Sequence, residues 1–371
     1  MWKTALDFMT YEKSKLAGIL LGIVISMFLV GIQLALVDKF LEDSTGFLRG
    51  NHQYVYVVDQ KSPSSSSLLG VDNRVGYELH SIPGVEKVFP VVVSGGTCQF
   101  ASGSTANVCI VGVQYPEMAG APKLYTSNTN LAALQSDGAI IIDADDQANF
   151  EDADVGSYFY LNNNRVMVSG VSIGNDALGV PNIVTTIERA RQLSGFSHNQ
   201  VSAFLLKCTD QTPETQRLVV ERINKTIPSV KAYLGADFVK TTKEYNKKTN
   251  GILGSFYMMI SFALIAGAII VGLTMFSSVN DRIRDYGTIK AIGGSNRIIT
   301  KLILWQAVLY AAIGFTLTMV LLMGLKFLLG VNLSIGLLLF LFFMTLVMSL
   351  IGSFFCMRKI FKLEPVQIFR M

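Results

Sequence analysis

Four stretches of this chain contain no Asp, Glu, Lys or Arg: Leu16–Val37, Gly251–Asn280, Leu302–Leu325 and Phe327–Met357. Hydrocarbon offers no partner for a backbone N–H or C=O, and an α-helix satisfies both kinds of group within one segment. Crossing a bilayer takes about 20 mostly apolar residues, and each stretch is long enough. Only 16% of the chain is charged, against about 25% in soluble domains, so an ordinary cytosolic enzyme is excluded. The net charge of +4 leaves no broad basic footprint, and no nucleic-acid partner is expected.

The first stretch invites comparison with a secretory signal peptide, because Lys13 and Lys15 precede it. A signal core runs about 7–15 residues and ends at a small-residue cleavage site. This run is longer and leads into Asp38-Lys39, so it reads as a retained helix. Spans are therefore expected at 16–38, 251–280, 302–328 and 333–357. The last two form a tight hairpin turning near Gly330-Val331-Asn332-Leu333-Ser334.

Lys and Arg set orientation. They gather in an amphipathic N-terminal segment at 1–15 (Lys3, Lys13, Lys15), in the segment 281–301 (Arg282, Arg284, Lys290, Arg297, Lys301) and in the tail 358–371 (Arg358, Lys359, Lys362, Arg370). Four spans place all three on one side, with both termini cytoplasmic and residues 39–250 outside. Apart from Asp38 and Lys326 at span ends, no charge lies within a span, which argues against a proton-coupled carrier.

Residues 39–250 read as a mixed α/β domain inserted between helices 1 and 2 of an α-helical membrane protein with four transmembrane helices. Strands are expected at Gln53–Asp59, Val85–Ser94, Asn107–Val113, Gly138–Asp143, Ser157–Leu161, Arg165–Val171, Val230–Leu234 and Phe238–Thr241, with a helix over Asp72–Ser81. Thr212-Pro213-Glu214 opens a second helix, running to about Ile227, with a Thr cap and Pro in its first turn. Strand candidates at both ends suggest a proximal part, 44–100 plus 200–245, carrying an inserted distal part, 105–198.

If Gly103-Ser104 is a two-residue turn, Cys98 and Cys109 face each other across a hairpin. An outer compartment would then permit a disulfide; the alternative is two buried free thiols. No phosphate-binding G-x-x-x-x-G-K-[S/T] loop occurs, so ATP is not expected to bind this chain. His52, His80 and His198 match no zinc spacing, and no metal or catalytic site is expected. The acidic run Asp143, Asp145, Asp146, Glu151, Asp152 and Asp154 fits no standard calcium loop.

The most informative stretch joins spans two and three. Ile283, Tyr286, Ile289 and Ile292 recur every three residues between charged positions. That pattern predicts a short amphipathic helix, ended by Gly293-Gly294 and followed by a new helical start at Ser295. Such a helix lies on anionic lipid or docks a cytoplasmic partner.

This run, Arg282-Ile283-Arg284-Asp285-Tyr286-Gly287-Thr288-Ile289-Lys290-Ala291-Ile292-Gly293-Gly294, resembles the R-x-R-E-I-G-x-L-K-A-x-G-A loop of MacB/FtsX-type ABC transporter permeases, the mechanotransmission class. Asp285 stands for the usual Glu and Tyr286 for the usual Ile. Ile82-Pro83-Gly84-Val85-Glu86-Lys87-Val88-Phe89-Pro90 is similar to the P-G-V-x-x-V-x-P signature, and Glu364-Pro365-Val366-Gln367-Ile368-Phe369-Arg370 to the P-x-E-A-L-R tail. The DevC-like exporters are the most similar subgroup.

The resemblance implies a non-catalytic permease subunit in a bacterial inner membrane. A separate ABC ATPase carrying ATP and Mg would dock on Asp281, Arg282, Arg284, Asp285, Lys290, Ala291, Ile292, Gly293, Gly294 and Arg297, with Pro365 and Arg370 from the tail. It further implies a second copy of the chain, a periplasmic adaptor and an outer-membrane channel, with a hydrophobic or amphiphilic substrate exported. Gly18, Gly22, Ala263, Gly267, Ser349 and Ser353 form small-x-x-x-small pairs, suited to close helix packing within one chain or between two. Two other family activities keep the fold: an FtsX-like relay that activates an outer enzyme without transport, and haem export.

Overall fold

The computed structural model describes residues 2–11, 13–48, 51–173, 180–329 and 333–361. The chain divides into a unit of residues 1–39 with 251–371, and a unit of residues 40–250.

The first unit is helical. Four of its helices, α2 (Lys13–Asp43), α7 (Gly251–Asp281), α9 (Asn296–Leu329) and α10 (Ile335–Phe361), are long and apolar enough to cross a membrane. Two short helices accompany them, α1 (Trp2–Tyr11) and α8 (Ile283–Ala291). The expected turn after α9 lies largely outside the described residues, as does most of the tail, with Pro365 and Arg370.

Small residues set the packing between these helices. A Cβ on Gly22 would lie 2.7 Å from Ile270 Cγ2 of α7, and one on Gly18 would lie 3.4 Å from Thr274 Cγ2. A Cβ on Gly267 would lie 2.5 Å from both Ser26 Cβ on α2 and Met348 Cε on α10. Ala263 is half-buried, while Ser349 and Ser353 are fully buried, Ser353 Oγ donating to the Ser349 carbonyl at 2.8 Å. The glycines of this set thus bring helices of one chain together, as expected where van der Waals contact drives association in lipid.

The second unit is built on a nine-stranded sheet in the order β11-β1-β10-β3-β4-β8-β5-β7-β6. Its strands are β1 (Val55–Asp59), β3 (Val85–Gln99), β4 (Thr105–Val113), β5 (Ala139–Asp143), β6 (Tyr158–Leu161), β7 (Asn164–Ser172), β8 (Asn182–Thr186), β10 (Ala203–Cys208) and β11 (Val230–Leu234). A separate two-stranded ribbon joins β2 (Val71–Asp72) to β9 (Gln200–Val201), and helices α3 (Val75–His80) and α4 (Ile187–Ser194) pack against β3. The long β3 spans both halves: Val85–Val91 pairs with β10, and Val92–Gln99 pairs with β4. Its last residues also meet β6, at Cys98↔Leu161 and Gln99↔Tyr160. This second pairing closes β3-β4-β8-β5-β7-β6 into a ring, which removes the free edges that such strands would otherwise expose.

Near β1 and β10 the sheet is buried on both faces. Val55, Val57, Phe204 and Leu206 face a core shared with helix α5 (Pro213–Thr226), and Tyr56, Val58, Ala203 and Leu205 face one shared with helix α6 (Gly235–Thr249). A strand buried on both sides loses its polar alternation, which is why Ala203–Cys208 carries no period-two signal. Helix α5 begins as expected, with Thr212 Oγ1 accepting from the Thr215 amide at 3.4 Å.

Two expectations are corrected. Phe238–Thr241 is not a strand but part of α6, whose residues Phe238, Thr242 and Asn246 are buried at the four-residue spacing of a helix face. Cys98 and Cys109 form no disulfide and are free thiols. The β3–β4 loop holds five residues, Phe100–Ser104, so Cys98 opposes Ala106 and Cys109 opposes Gly95. Residues 106 and 109 are an odd number apart on one strand, so the two thiols point to opposite faces of the sheet. Cys98 belongs to one core and Cys109 packs against the other.

Candidate functional site

Helix α8 lies between α7 and α9. Its C-terminus is closed by three hydrogen bonds: Ile292 N to Thr288 O, Gly293 N to Lys290 O, and Gly294 N to Ile289 O at 2.8 Å. The last two form the paired closure of a Schellman motif, which needs a left-handed residue just past the cap. Gly293 supplies it, with φ at +92°. The chain then reverses into α9, as the Gly-Gly and Ser295 pattern predicts.

The two faces of α8 differ from those the three-residue spacing suggests. Arg282, Tyr286 and Gly287 are buried and Ile289 is half-buried, while Ile292 is 81% exposed. A helix turns about 100° per residue, so Ile292, nine positions after Ile283, falls half a turn away from it. The exposed ridge consists of Asp281, Arg284, Asp285, Thr288, Ala291 and Ile292. Gly293, Ser295 and Arg297 continue it beyond the helix, with Lys290 and Gly294 half-buried at its margin. An exposed isoleucine rimmed by charge and small residues suits a protein partner: the apolar side chain supplies a desolvated anchor and the charges orient it.

Of the residues assigned to docking, Arg282 is the exception. Its side chain is 7% exposed, and its guanidinium carbon lies 4.9 Å from the Phe8 ring centroid and 5.0 Å from that of Tyr11. Asp281 is shared between roles, since it is half-exposed and forms an ion pair with Lys15. Sequence reading missed α1 as a neighbour of this site. Its signal was present in Phe8 and Tyr11, whose spacing lets them grip one cation.

The second unit holds a cavity of about 300 Å³ lined by Phe40, Asp43, Ser65, Asn182 and Asn246 among others. These residues come from distant segments, so no motif announces them. Within the acidic run, Asp143 is fully buried and accepts from Ser172 Oγ at 2.7 Å and from the Asp145 amide. Among the described residues, no three His, Cys, Asp or Glu side chains group to hold a metal.

Two family models match the chain in succession. A family model described as the MacB-like periplasmic core domain matches residues 16–225, and one described as the FtsX-like permease C-terminal region matches residues 257–365. Two solved structures are similar. The extracellular domain of the noncanonic ABC-type transporter YknZ from Gram-positive bacteria is 14% identical, covering 48% of this chain and 99% of its own, with a TM-score of 0.35. The periplasmic region of MacB from Actinobacillus actinomycetemcomitans is 15% identical, covering 52% and 94%, with a TM-score of 0.39. No curated protein matches. With the core-domain model covering more than half of its length and four helices able to cross a membrane, the chain belongs to the MacB/FtsX family of ABC transporter permeases.

Proposed function

We propose that this permease couples ATP hydrolysis in a separate ABC ATPase to movement of its outer unit, and so exports a hydrophobic or amphiphilic substrate. The observation that carries this reading is the exposed ridge of α8. It presents Asp285 and Arg284 beside Ile292, held by a glycine closure continuous with two long helices. Force applied to this ridge reaches α7 through Arg282 and α9 through the Gly293–Ser295 turn. A ligand can drive a conformational change only by binding two states unequally, and an ATPase dimer that closes on ATP supplies that difference.

Both termini and α8 are assigned to the cytoplasmic side of a bacterial inner membrane, from the distribution of Lys and Arg. A second copy of the chain would complete the pump. An apolar groove of about 470 Å³ between Gly272, Leu273 and Phe276 of α7 and Ile351 of α10 is one surface it could occupy. The buried polar side chains of the spans include isolated groups such as Ser26, Thr318 and Thr345, which favours a substrate taken from the lipid or the outer compartment. A periplasmic adaptor and an outer-membrane channel complete the DevC-like reading.

The test is Asp285→Lys in the complex assembled with its ATPase. Hydrolysis stimulated by the permease should fall by about tenfold or more, as for loss of a central interface residue, with the fold intact. Unchanged hydrolysis removes α8 as the docking site. Co-purification from the native membrane decides the output: an adaptor indicates export, and a murein hydrolase regulator without an adaptor indicates a relay.

A further inference from the structure

Arg282 sits in the motif that suggests ATPase contact, yet its side chain turns away from the exposed ridge. It is 7% exposed and lies against two rings of α1, Phe8 at 4.9 Å and Tyr11 at 5.0 Å. Phe8 also meets Tyr286, the most deeply buried large side chain of α8, with ring centroids 5.9 Å apart. Lys15, at the start of α2, pairs with Asp281 at the end of α7. The inner side of α1 is anchored as well: Ala5 and Met9 are buried in the same core as Tyr286, Ile299 and Ile303, and α1 packs along α9.

We propose that α1 and Arg282 form a clasp that holds α8 at a set orientation, and that Arg282 is a positioning residue and not an ATPase contact. The inference rests on α8 being the docking helix. Its physical basis is the shortness of α8, which spans nine residues. Isolated helices below about 12–15 residues are marginal in water, so α8 owes its form and direction to what it packs on. Its buried side offers Arg282, Tyr286 and Ile289, and α1 supplies the surface for the first two. An Arg is required because a planar guanidinium can stack on two aromatic faces, whereas an ammonium is a compact and strongly hydrated point charge.

The clasp also ties the start of the chain to the docking helix. Residues of α1, the base of α2 and the end of α7 converge on α8, so a push on the ridge is shared by three helices and not absorbed by rotation of one. If α8 were free to turn, only the fraction of molecules with the ridge facing out would bind, and the apparent affinity would fall by that fraction.

The experiment is a double-mutant cycle on ATPase affinity, with the full-length permease in nanodiscs and its ATPase titrated in. Arg282→Ala and Phe8→Ala should each weaken binding by about tenfold, the scale of a desolvated cation–π pair. The double variant should be no weaker than the worse single, because both break one contact. Arg282→Lys should recover only part of the loss. Hydrogen exchange of α8 amides in the permease alone should quicken in both single variants while α7 amides stay protected. A full effect of Arg282→Ala with Phe8→Ala neutral would make Arg282 a direct ATPase contact and overturn the clasp. Multiplicative losses, or unchanged exchange in α8, would overturn it too. Asp285→Lys serves as the separate control. If it also leaves affinity unchanged, the docking reading has failed; if it abolishes binding while both clasp variants bind normally, only the clasp has failed.

Discussion

Gly267 offers a test of the helix packing that can be worked out in advance. A Cβ there would lie 2.5 Å from Ser26 Cβ and from Met348 Cε, whereas relaxed carbon pairs sit about 3.5–4.0 Å apart. Met348 can swing its terminal methyl aside, but Ser26 Cβ is fixed to the backbone of α2. The Gly267→Ala variant must therefore move α2 away from α7 by about 1 Å. Overpacking of this kind costs about 1–3 kcal/mol, and replacing Gly by Ala in a helix interior returns about 1 kcal/mol, leaving a net loss of about 2 kcal/mol at the upper end. Gly324 in α9 is the contrast, since nothing lies within 4 Å of its Cβ position. Gly324→Ala should be neutral or stabilising by up to about 1 kcal/mol. Equilibrium unfolding of the chain in mixed micelles of increasing SDS fraction would compare them. Equal midpoints for the two variants would refute the α2–α7 contact.

The α/β unit carries further tests. Without reductant, Cys98, Cys109 and Cys208 should all label with maleimide after unfolding, and an unlabelled Cys98–Cys109 pair would refute the observed register. Burial pushes the Cys98 thiol up to about 12 and Cys109 to about 11, from an ordinary 9.0. The folded state therefore keeps protons that the unfolded chain releases, and stability present below about pH 9 should decline as pH rises toward 11. Replacing both cysteines with Ala should flatten that decline, measured as thermal midpoint against pH. Thr212→Ala removes the cap of α5 and should cost about 1 kcal/mol in a thermal melt of the detergent-solubilised chain. Gly293→Val forces a β-branched residue to φ +92° and should cost about 1–2 kcal/mol. That loss would appear as faster exchange of the backbone amides at positions 293 and 294, and unchanged exchange would refute the Schellman closure.

Much of the architecture was legible because its causes are local. A charge-free run of about 20 residues is helical in a membrane whatever surrounds it, and Thr212-Pro213 opens a helix by its own chemistry. Gly293-Gly294 ended α8 for the same reason. Reading failed where neighbours decide. Phe238–Thr241 looks like a strand in isolation, but tertiary burial at Phe238, Thr242 and Asn246 selects the helix. Ala203–Cys208 has no alternation to detect, since both of its faces are covered.

Helix α8 shows the same boundary within a few residues. Its residue types, its position between two spans and its glycine stop were all written in the linear chain. Which side of α8 faces outward was not, because a three-residue period and a 3.6-residue helix drift apart over nine positions, and an arginine reads as exposed until its partners are known. Arg282 is buried, with Phe8 and Tyr11 brought against it from the start of the chain. Likewise, whether Cys98 and Cys109 meet depends on the length of a loop that residue types left open. The sequence alone determined the four long apolar helices, the α/β insertion between the first two and the place of α8, since these follow from composition and local turn chemistry. Only the tertiary structure decided register, helix faces and the burial of Arg282, since each depends on which distant groups exclude water from a given side chain.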